Sequence, residues 1–497
     1  MNTVYQLKVL IVILTMTVPV FFFAKPVCLR FMDEADFLRR RNIWLALTAT
    51  ALLSPSFWLY ALVAAILFTW GARKDATPAA FYLLLLHVIP PGGQEIPYIG
   101  SIRIFELDNY RLLAFTVLIP VAWKFRQLRH GDDLRRFTLT DTLVLGFCLL
   151  QLVLLAPYES ITNTARRGLL SGLDVLIPYY VFSRSLTDKR AFADTLCTFC
   201  LACALFAGIA TFEALRTWPL YGETAEIWGL QSEGAYVFRG TSLRALASSG
   251  HPLALGYMMS IGFGFWLYLR PHAGSMWKGV TIAGWMWLGL LAAYSRAPWL
   301  VAIIIFFIYL WFQNRGAVKT IKALLALACV GGIVLASPLG SKVIDNLPFV
   351  GTVDSDNVVY RQRLADVSWR LIEQNPLLGD PFVLNKMEEM RQGEGIIDLV
   401  NTYATMALFY GMIGLSIFCC VFASGAWKLF QGLRRANRFN EDTARIGANL
   451  LACLLGTLVM MATGSFGSSL ALLAWALAGL SVSYERMVQR MSREAAQ

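Results

Sequence analysis

Charge is what this chain has least of: Asp, Glu, Lys and Arg make up only 15% of its 497 residues, against 57% hydrophobic, and mean hydropathy is +0.56. Soluble proteins carry roughly a quarter charged residues, so the chain reads as a membrane protein. Disorder, collagen-like repeats and a disulfide-stapled secreted domain are excluded too, because apolar runs dominate and most of the nine cysteines lie inside them. No small-residue cleavage site follows the first apolar stretch, Leu7 to Ala24, which therefore reads as a retained anchor. The surplus of 43 Lys and Arg over 32 Asp and Glu gives +11 without pointing to nucleic acid. In a membrane protein the informative question is which connections hold those charges.

Runs long enough to cross hydrocarbon as helix fall at 4–24, 43–70, 79–91, 107–124, 139–157, 168–183, 191–213, 251–269, 278–294, 297–313, 320–337, 400–425, 445–463 and 467–485. The expected fold is all-α, a polytopic helical bundle with about 12–14 transmembrane helices and two long extracytoplasmic loops. Two runs are weak: 79–91 is short, and Ser54-Pro55-Ser56 interrupts 43–70, leaving either one kinked span or the two arms of a hairpin. Alternate connections are rich in Lys and Arg: Lys124 to Arg136, Arg184 to Arg190, Arg315 to Lys322 and Lys428 to Arg438. These belong in the cytoplasm, as does the tail 486–497. Single crossing by 43–70 would place Arg39, Arg40 and Arg41 on the wrong side, and a hairpin removes that conflict. The remaining divisions are an amino-terminal block, 1–190, and a core, 191–485, with outer loops 214–250 and 338–399.

Loop 338–399 holds six Lys and Arg against ten Asp and Glu, so its arginines are not topology signals. From Val358 to Glu373, Tyr360, Leu364, Val367 and Leu371 make one apolar stripe, which predicts an amphipathic helix ended by Asn375-Pro376. Arg361 and Arg363 flank the stripe. On a helix lying at the membrane surface they would sit at headgroup depth, either snorkelling to anionic lipid or gripping a lipid-linked pyrophosphate. In loop 214–250, Arg239 and Arg244 lead through Ala247-Ser248-Ser249-Gly250 to His251-Pro252, a helix start that favours an anion. His251 reads as a cap or as a site group. Arg296 stands at a third outer turn, Tyr294-Ser295-Arg296-Ala297-Pro298. Cys197, Cys200 and Cys203 have helical spacing inside an apolar span and read as packing, while Trp218 and Trp228 read either as interface anchors or as rings that stack on sugars.

The order of features resembles the bacterial O-antigen polymerase and O-antigen ligase superfamily. A span ends in Glu213, an arginine-bearing loop comes next, then Gly250-His251-Pro252-x-x-Leu255-Gly256, then Ser295-Arg296-Ala297-Pro298-Trp299, then a large outer loop. Within that loop Arg361-x14-Pro376-Leu377-Leu378-Gly379 is similar to the family segment. Asn401 with Gly411-Met412-Ile413-Gly414 is similar to the family's pattern on the carboxy-terminal side of the loop. The ligase pattern begins with a histidine where this chain has Val400, and Arg239-x10-Gly250 and Arg363-x15-Gly379 look like polymerase motifs, which favours polymerase.

The resemblance implies a metal-independent membrane glycosyltransferase without cofactor. It would use an undecaprenyl-pyrophosphate-linked oligosaccharide on the outer face of the bacterial inner membrane, with a flippase and a chain-length regulator as possible partners and no nucleic acid. The absence of a Gly-x4-Gly-Lys phosphate loop agrees with that; Asp354-Ser355-Asp356 is the one literal Asp-x-Asp. Arg361 and Arg239 are then expected to stabilise the departing pyrophosphate, with Arg363, Arg244, Arg296, His251 and Asn401 as binding partners. Glu213, Glu394 and Asp398 are the candidate proton acceptors. Ligase-type transfer to another acceptor and a transporter or flippase are the alternatives.

Overall fold

The computed structural model describes residues 3–96, 105–127, 136–228, 236–313, 315–337, 355–391, 397–465 and 467–495. It is almost wholly helical: α1 Thr3–Cys28, α2 Glu34–Leu53, α3 Phe57–Lys74, α4 Pro78–Leu85, α5 Asn109–Leu113, α6 Ile119–Arg126, α7 Leu139–Leu155, α8 Ile161–Ser171, α9 Ile177–Ser185, α10 Lys189–Arg216, α11 Gly222–Ile227, α12 Pro252–Leu269, α13 Met276–Ala292, α14 Arg296–Trp311, α15 Gly316–Ala336, α16 Ser355–Gln374, α17 Thr402–Ala436, α18 Glu441–Thr463 and α19 Ser468–Glu494. Among the described residues the only sheets are two small antiparallel hairpins, β1 Gly93–Glu95 with β2 Glu106–Asp108 and β3 Phe238–Arg239 with β4 Ser242–Leu243. Among the described residues six helices are long and apolar enough to cross a membrane, namely α1, α10, α12, α15, α17 and α18. Hydrocarbon offers backbone groups no partners, so such runs can only be helical, and the chain is an all-α polytopic membrane protein.

The core forms around α10 and α12, which are apolar on every side and buried along most of their length, whereas α1 and α15 are peripheral. Cys197, Cys200 and Cys203 pack there: Cys197 Sγ lies 3.7 Å from Cys28 Sγ, and the other two thiols donate to the carbonyls of Gly262 and Met258. Two spans contain a five-residue π-helical stretch, Ala114–Leu118 and Gly172–Leu176, each two residues before a proline, Pro120 and Pro178. Proline removes a helical N–H and clashes with the preceding turn, and the wider π turn absorbs both.

Residues 43–70 resolve as a hairpin. Helices α2 and α3 meet at Ser54-Pro55-Ser56, where Ser54 Oγ donates to Ser56 O at 2.8 Å and Ser56 caps Leu59 N at 3.3 Å. This turn brings Arg40 to the start of α10. The Arg40 guanidinium is fully buried, forked onto Asp75 at 2.7 and 2.9 Å and onto Asp194 at 2.5 and 2.9 Å. Arg190 pairs with Asp33 at 2.7 Å beside it. Arg39, Arg40 and Arg41 therefore share the end of the bundle that holds Lys189 and Arg190, the basic end. The expected span 79–91 is corrected: α4 is helical for eight residues, about 12 Å of rise, too short to cross. Asn109 Nδ2 lies 3.3 and 3.4 Å from the carbonyls of Leu85 and Leu86.

Candidate functional site

Helix α10 has 28 residues and so carries its two ends about 42 Å apart. Glu213 lies in its last turn, fully buried, and its carboxylate accepts from the N–H groups of Leu220 at 2.9 Å, Leu246 at 3.0 Å and Ala247 at 2.7 Å. That geometry corrects the expectation of a proton acceptor, because the carboxylate is spent on main-chain donors of the adjoining loop. Ala247 at φ 47° and Gly250 at φ 79° let this loop fold inward; a side chain at Gly250 would strike Pro91 at 2.1 Å. Trp228 is corrected as well: it is buried, stacked on Tyr60 at 5.2 Å, and donates to Ser54 O. Trp218, half-buried, donates to the Tyr5 hydroxyl at 2.7 Å.

Anchored by Glu213, the β3–β4 hairpin reaches the turn between α13 and α14. Arg239 Nη1 donates to Tyr294 O at 2.8 Å, and Ala245 N–H donates to Ala292 O at 3.0 Å. Arg239 and Arg296, 57 positions apart in sequence, thus meet at one turn, and both remain partly exposed. Arg244 lies near His251, as does Asp398 from the connection ahead of α17. Asp398 accepts from Ser465 Oγ at 3.2 Å through its carboxylate and from the Tyr360 hydroxyl at 3.2 Å through its carbonyl. Ser465 was not foreseen; the sequence hint is its place among small residues, Gly464-Ser465-x-Gly467-Ser468, between two spans.

His251 caps α12, its Nδ1 accepting from Leu253 N–H at 3.1 Å. A neutral ring in that position carries its proton on Nε2 and offers a donor, not a base. The residue reaches the surface, yet protein crowds the ring. That burial holds the imidazole below its ordinary value, Arg244 lowers it further, and Asp398 acts in the opposite direction. Asn401 caps α17, accepting from Tyr403 N at 2.9 Å and Ala404 N at 3.2 Å, and Thr402 Oγ1 ties that start to Gly464 O.

Helix α16 follows the expected stripe, but protein covers it. Leu364 and Val367 are buried against Val383, Met387, Met390, Leu399 and Leu408, with Val400 at the edge of this cluster. The expectation of a helix laid on the lipid surface is corrected accordingly. Arg363 shares Glu389 with Arg370, each at 3.3 Å, whereas Arg361 is exposed and makes no ion pair among the described residues. Glu394 and Asp354 lie outside the described residues, and the side chains of 355–358 are not described either.

Beyond α16, Pro376-Leu377-Leu378-Gly379 docks on a break in α17. Gly411 has φ 63°, which interrupts the helix and frees its backbone groups. The loop satisfies them: Met412 N–H donates to Pro376 O at 2.8 Å, Ile413 N–H to Leu377 O at 3.2 Å, and Asp380 N–H to Leu408 O at 2.8 Å. A side chain at Gly411 would lie 2.2 Å from Leu377 O, and one at Gly379 would lie 2.5 Å from Gly411 N. The two glycine-bearing motifs are halves of one joint.

Residues 281–419 match the family model described as O-antigen ligase. The match supports the O-antigen ligase and polymerase superfamily for this chain. It runs from within α13 through the Arg296 turn, Arg361, Asp398 and Asn401 to just past the Gly411 joint. Arg239, Arg244, His251 and Glu213 lie outside the matched segment; Arg239 reaches it at Tyr294 O, and His251 lies near Asp398. No curated protein matches the chain. O-antigen ligase family members are glycosyltransferase-like enzymes. Chemistry of that class calls for donors to a leaving anion and an acceptor for a proton; Arg239 at the Tyr294 turn, the His251 ring and the Asp398 carboxylate are groups of those two kinds.

Proposed function

We propose that this chain is a polysaccharide polymerase. It joins undecaprenyl-pyrophosphate-linked oligosaccharide repeats into O-antigen or exopolysaccharide at the periplasmic face of the bacterial inner membrane. One observation carries the reading: arginines from two separated outer connections meet around Tyr294, and Arg244 and Asp398 meet around His251, at the end of α10 remote from the Lys- and Arg-rich connections. Positive-inside orientation puts that end in the periplasm.

In the proposed reaction a sugar hydroxyl oxygen of one repeat bonds to the anomeric carbon of another. The bond from that carbon to the pyrophosphate oxygen breaks, and its electron pair leaves with undecaprenyl pyrophosphate. The hydroxyl proton passes to Asp398. Charge grows on the departing pyrophosphate, so guanidinium groups aimed at it stabilise the transition state more than the ground state. Arg361 and Arg239 take this role, with Arg244, Arg296 and Arg363 binding the diphosphate and Asn401 holding the start of α17 in place. A flippase would deliver the repeats and a chain-length regulator would act on the product.

Transfer to a different acceptor is the second reading, favoured by the ligase description of the matched family, while Val400 in place of the ligase histidine favours polymerisation. The test is purified protein with a defined lipid-linked repeat. Longer glycan on the lipid supports polymerase; no extension, with transfer only when another acceptor is added, supports ligase. Failure of both, with repeats trapped on the cytoplasmic leaflet in a deletion strain, would indicate transport and overturn the proposal.

A further inference from the structure

At the basic end, remote from the site above, α12 finishes in a turn that is tightly held. Arg30 Nη1 donates to His272 O at 2.6 Å, the Phe31 ring meets the His272 edge at 5.5 Å, and Trp266 Nε1 donates to Gly279 O at 3.1 Å. Between this turn, the end of α14 and the start of α18 lies a cavity of about 390 Å³. Leu267, Phe306 and Leu310 supply its apolar lining, while Arg270, Tyr309, Gln313 and Arg445 bring polar groups to it.

The charge there is not balanced. Arg445 pairs with Glu441 on its own helix at 2.8 Å, but Arg270, exposed, makes no ion pair among the described residues. Depth can be read from the neighbours. Arg270 follows the 18 residues of α12, about 27 Å of helix, close to the thickness of bilayer hydrocarbon. Trp277, 82% exposed in the first turn of α13, is the kind of side chain that settles at the headgroup level. A ligand that satisfies two guanidinium groups and an apolar floor at that depth is an amphiphile with an anionic head.

We propose that this cavity seats the phosphate of an anionic phospholipid from the basic-end leaflet, with acyl chains lying along Leu267, Phe306 and Leu310. The test uses the full chain in phosphatidylcholine nanodiscs with or without added phosphatidylglycerol, reading the melting temperature. Phosphatidylglycerol should raise it by several degrees, since a ligand of the folded state stabilises it. The rise should be lost when Arg270→Ala and Arg445→Ala are combined, and lost in Gln313→Glu, which adds an anion without removing a cation. It should persist in Arg438→Ala, which removes an exposed cation of the same end outside the cavity. An equal rise in the double variant and in Gln313→Glu, or no rise in the wild type, would overturn the proposal. Inorganic phosphate reproducing the rise in phosphatidylcholine alone would also overturn it, by assigning the cavity to a free anion.

Discussion

The arginines around Arg40 and those around Tyr294, at opposite ends of the bundle, do opposite work. At the basic end Arg40 is fully enclosed, its fork closed by Asp75 and Asp194, and Arg184 is buried on Asp141 at 2.9 Å. At the loop end Arg239 is tied to a main-chain carbonyl and Arg361 stands exposed. A guanidinium locked between carboxylates has no capacity left for a ligand anion; an exposed one such as Arg361 keeps its charge for use. The number of arginines at an end therefore says less than what holds them.

The contrast breaks most visibly at Arg40. Arg40→Ala removes the guanidinium that buried Asp75 and Asp194 share, leaving Asp75 only Arg39 at 3.8 Å, and should cost about 3–5 kcal/mol, seen as lost expression or a collapsed melting transition. Arg361→Ala should do the reverse, leaving the melting temperature unchanged while glycan extension falls about 100-fold or more, with little recovery in Arg361→Lys. Unchanged extension in both replacements would remove Arg361 from the mechanism. Gly411→Ala sharpens the comparison between spans and loops: forcing Cβ onto Leu377 O at a φ and ψ that essentially only glycine adopts should cost about 3 kcal/mol locally. Proteolysis should then cut within 376–391 sooner while the spans stay intact.

The smallest effect is expected at His251, where Asn keeps a cap acceptor but cannot titrate. Its folded value is lowered, so the stabilisation it provides is present above the ordinary imidazole value and is lost as pH falls below it. His251→Asn should flatten that acid limb in thermal stability. At neutral pH it should lower extension through loss of the Nε2–H donor.

Some of the site was legible in advance. The stripe on 358–373, the stop at Asn375-Pro376 and the paired glycine motifs were visible as local patterns. What covers the stripe was not: an apolar face at helical spacing packs equally well on lipid or on protein, and here Met387, Met390 and Leu408 cover it. Glu213 was legible as a carboxylate at a span end, but its use by backbone groups of a loop up to 34 residues away was not. Ser465 stood out only as one of several small residues between two spans until the fold set it against Asp398, 67 positions earlier.

The sequence by itself determined a bundle of apolar helices, the end that gathers Lys and Arg, and the order of the outer motifs, because hydropathy, periodicity and turn residues act over a few positions. Tertiary structure alone decided that 43–70 folds as a hairpin, that Arg40 is a lock, and that Pro376–Gly379 closes the break at Gly411. Such outcomes rest on distant partners, as Asp75 and Asp194 stand 35 and 154 residues from Arg40. The choice among those partners is made by packing and by the need to satisfy every buried donor.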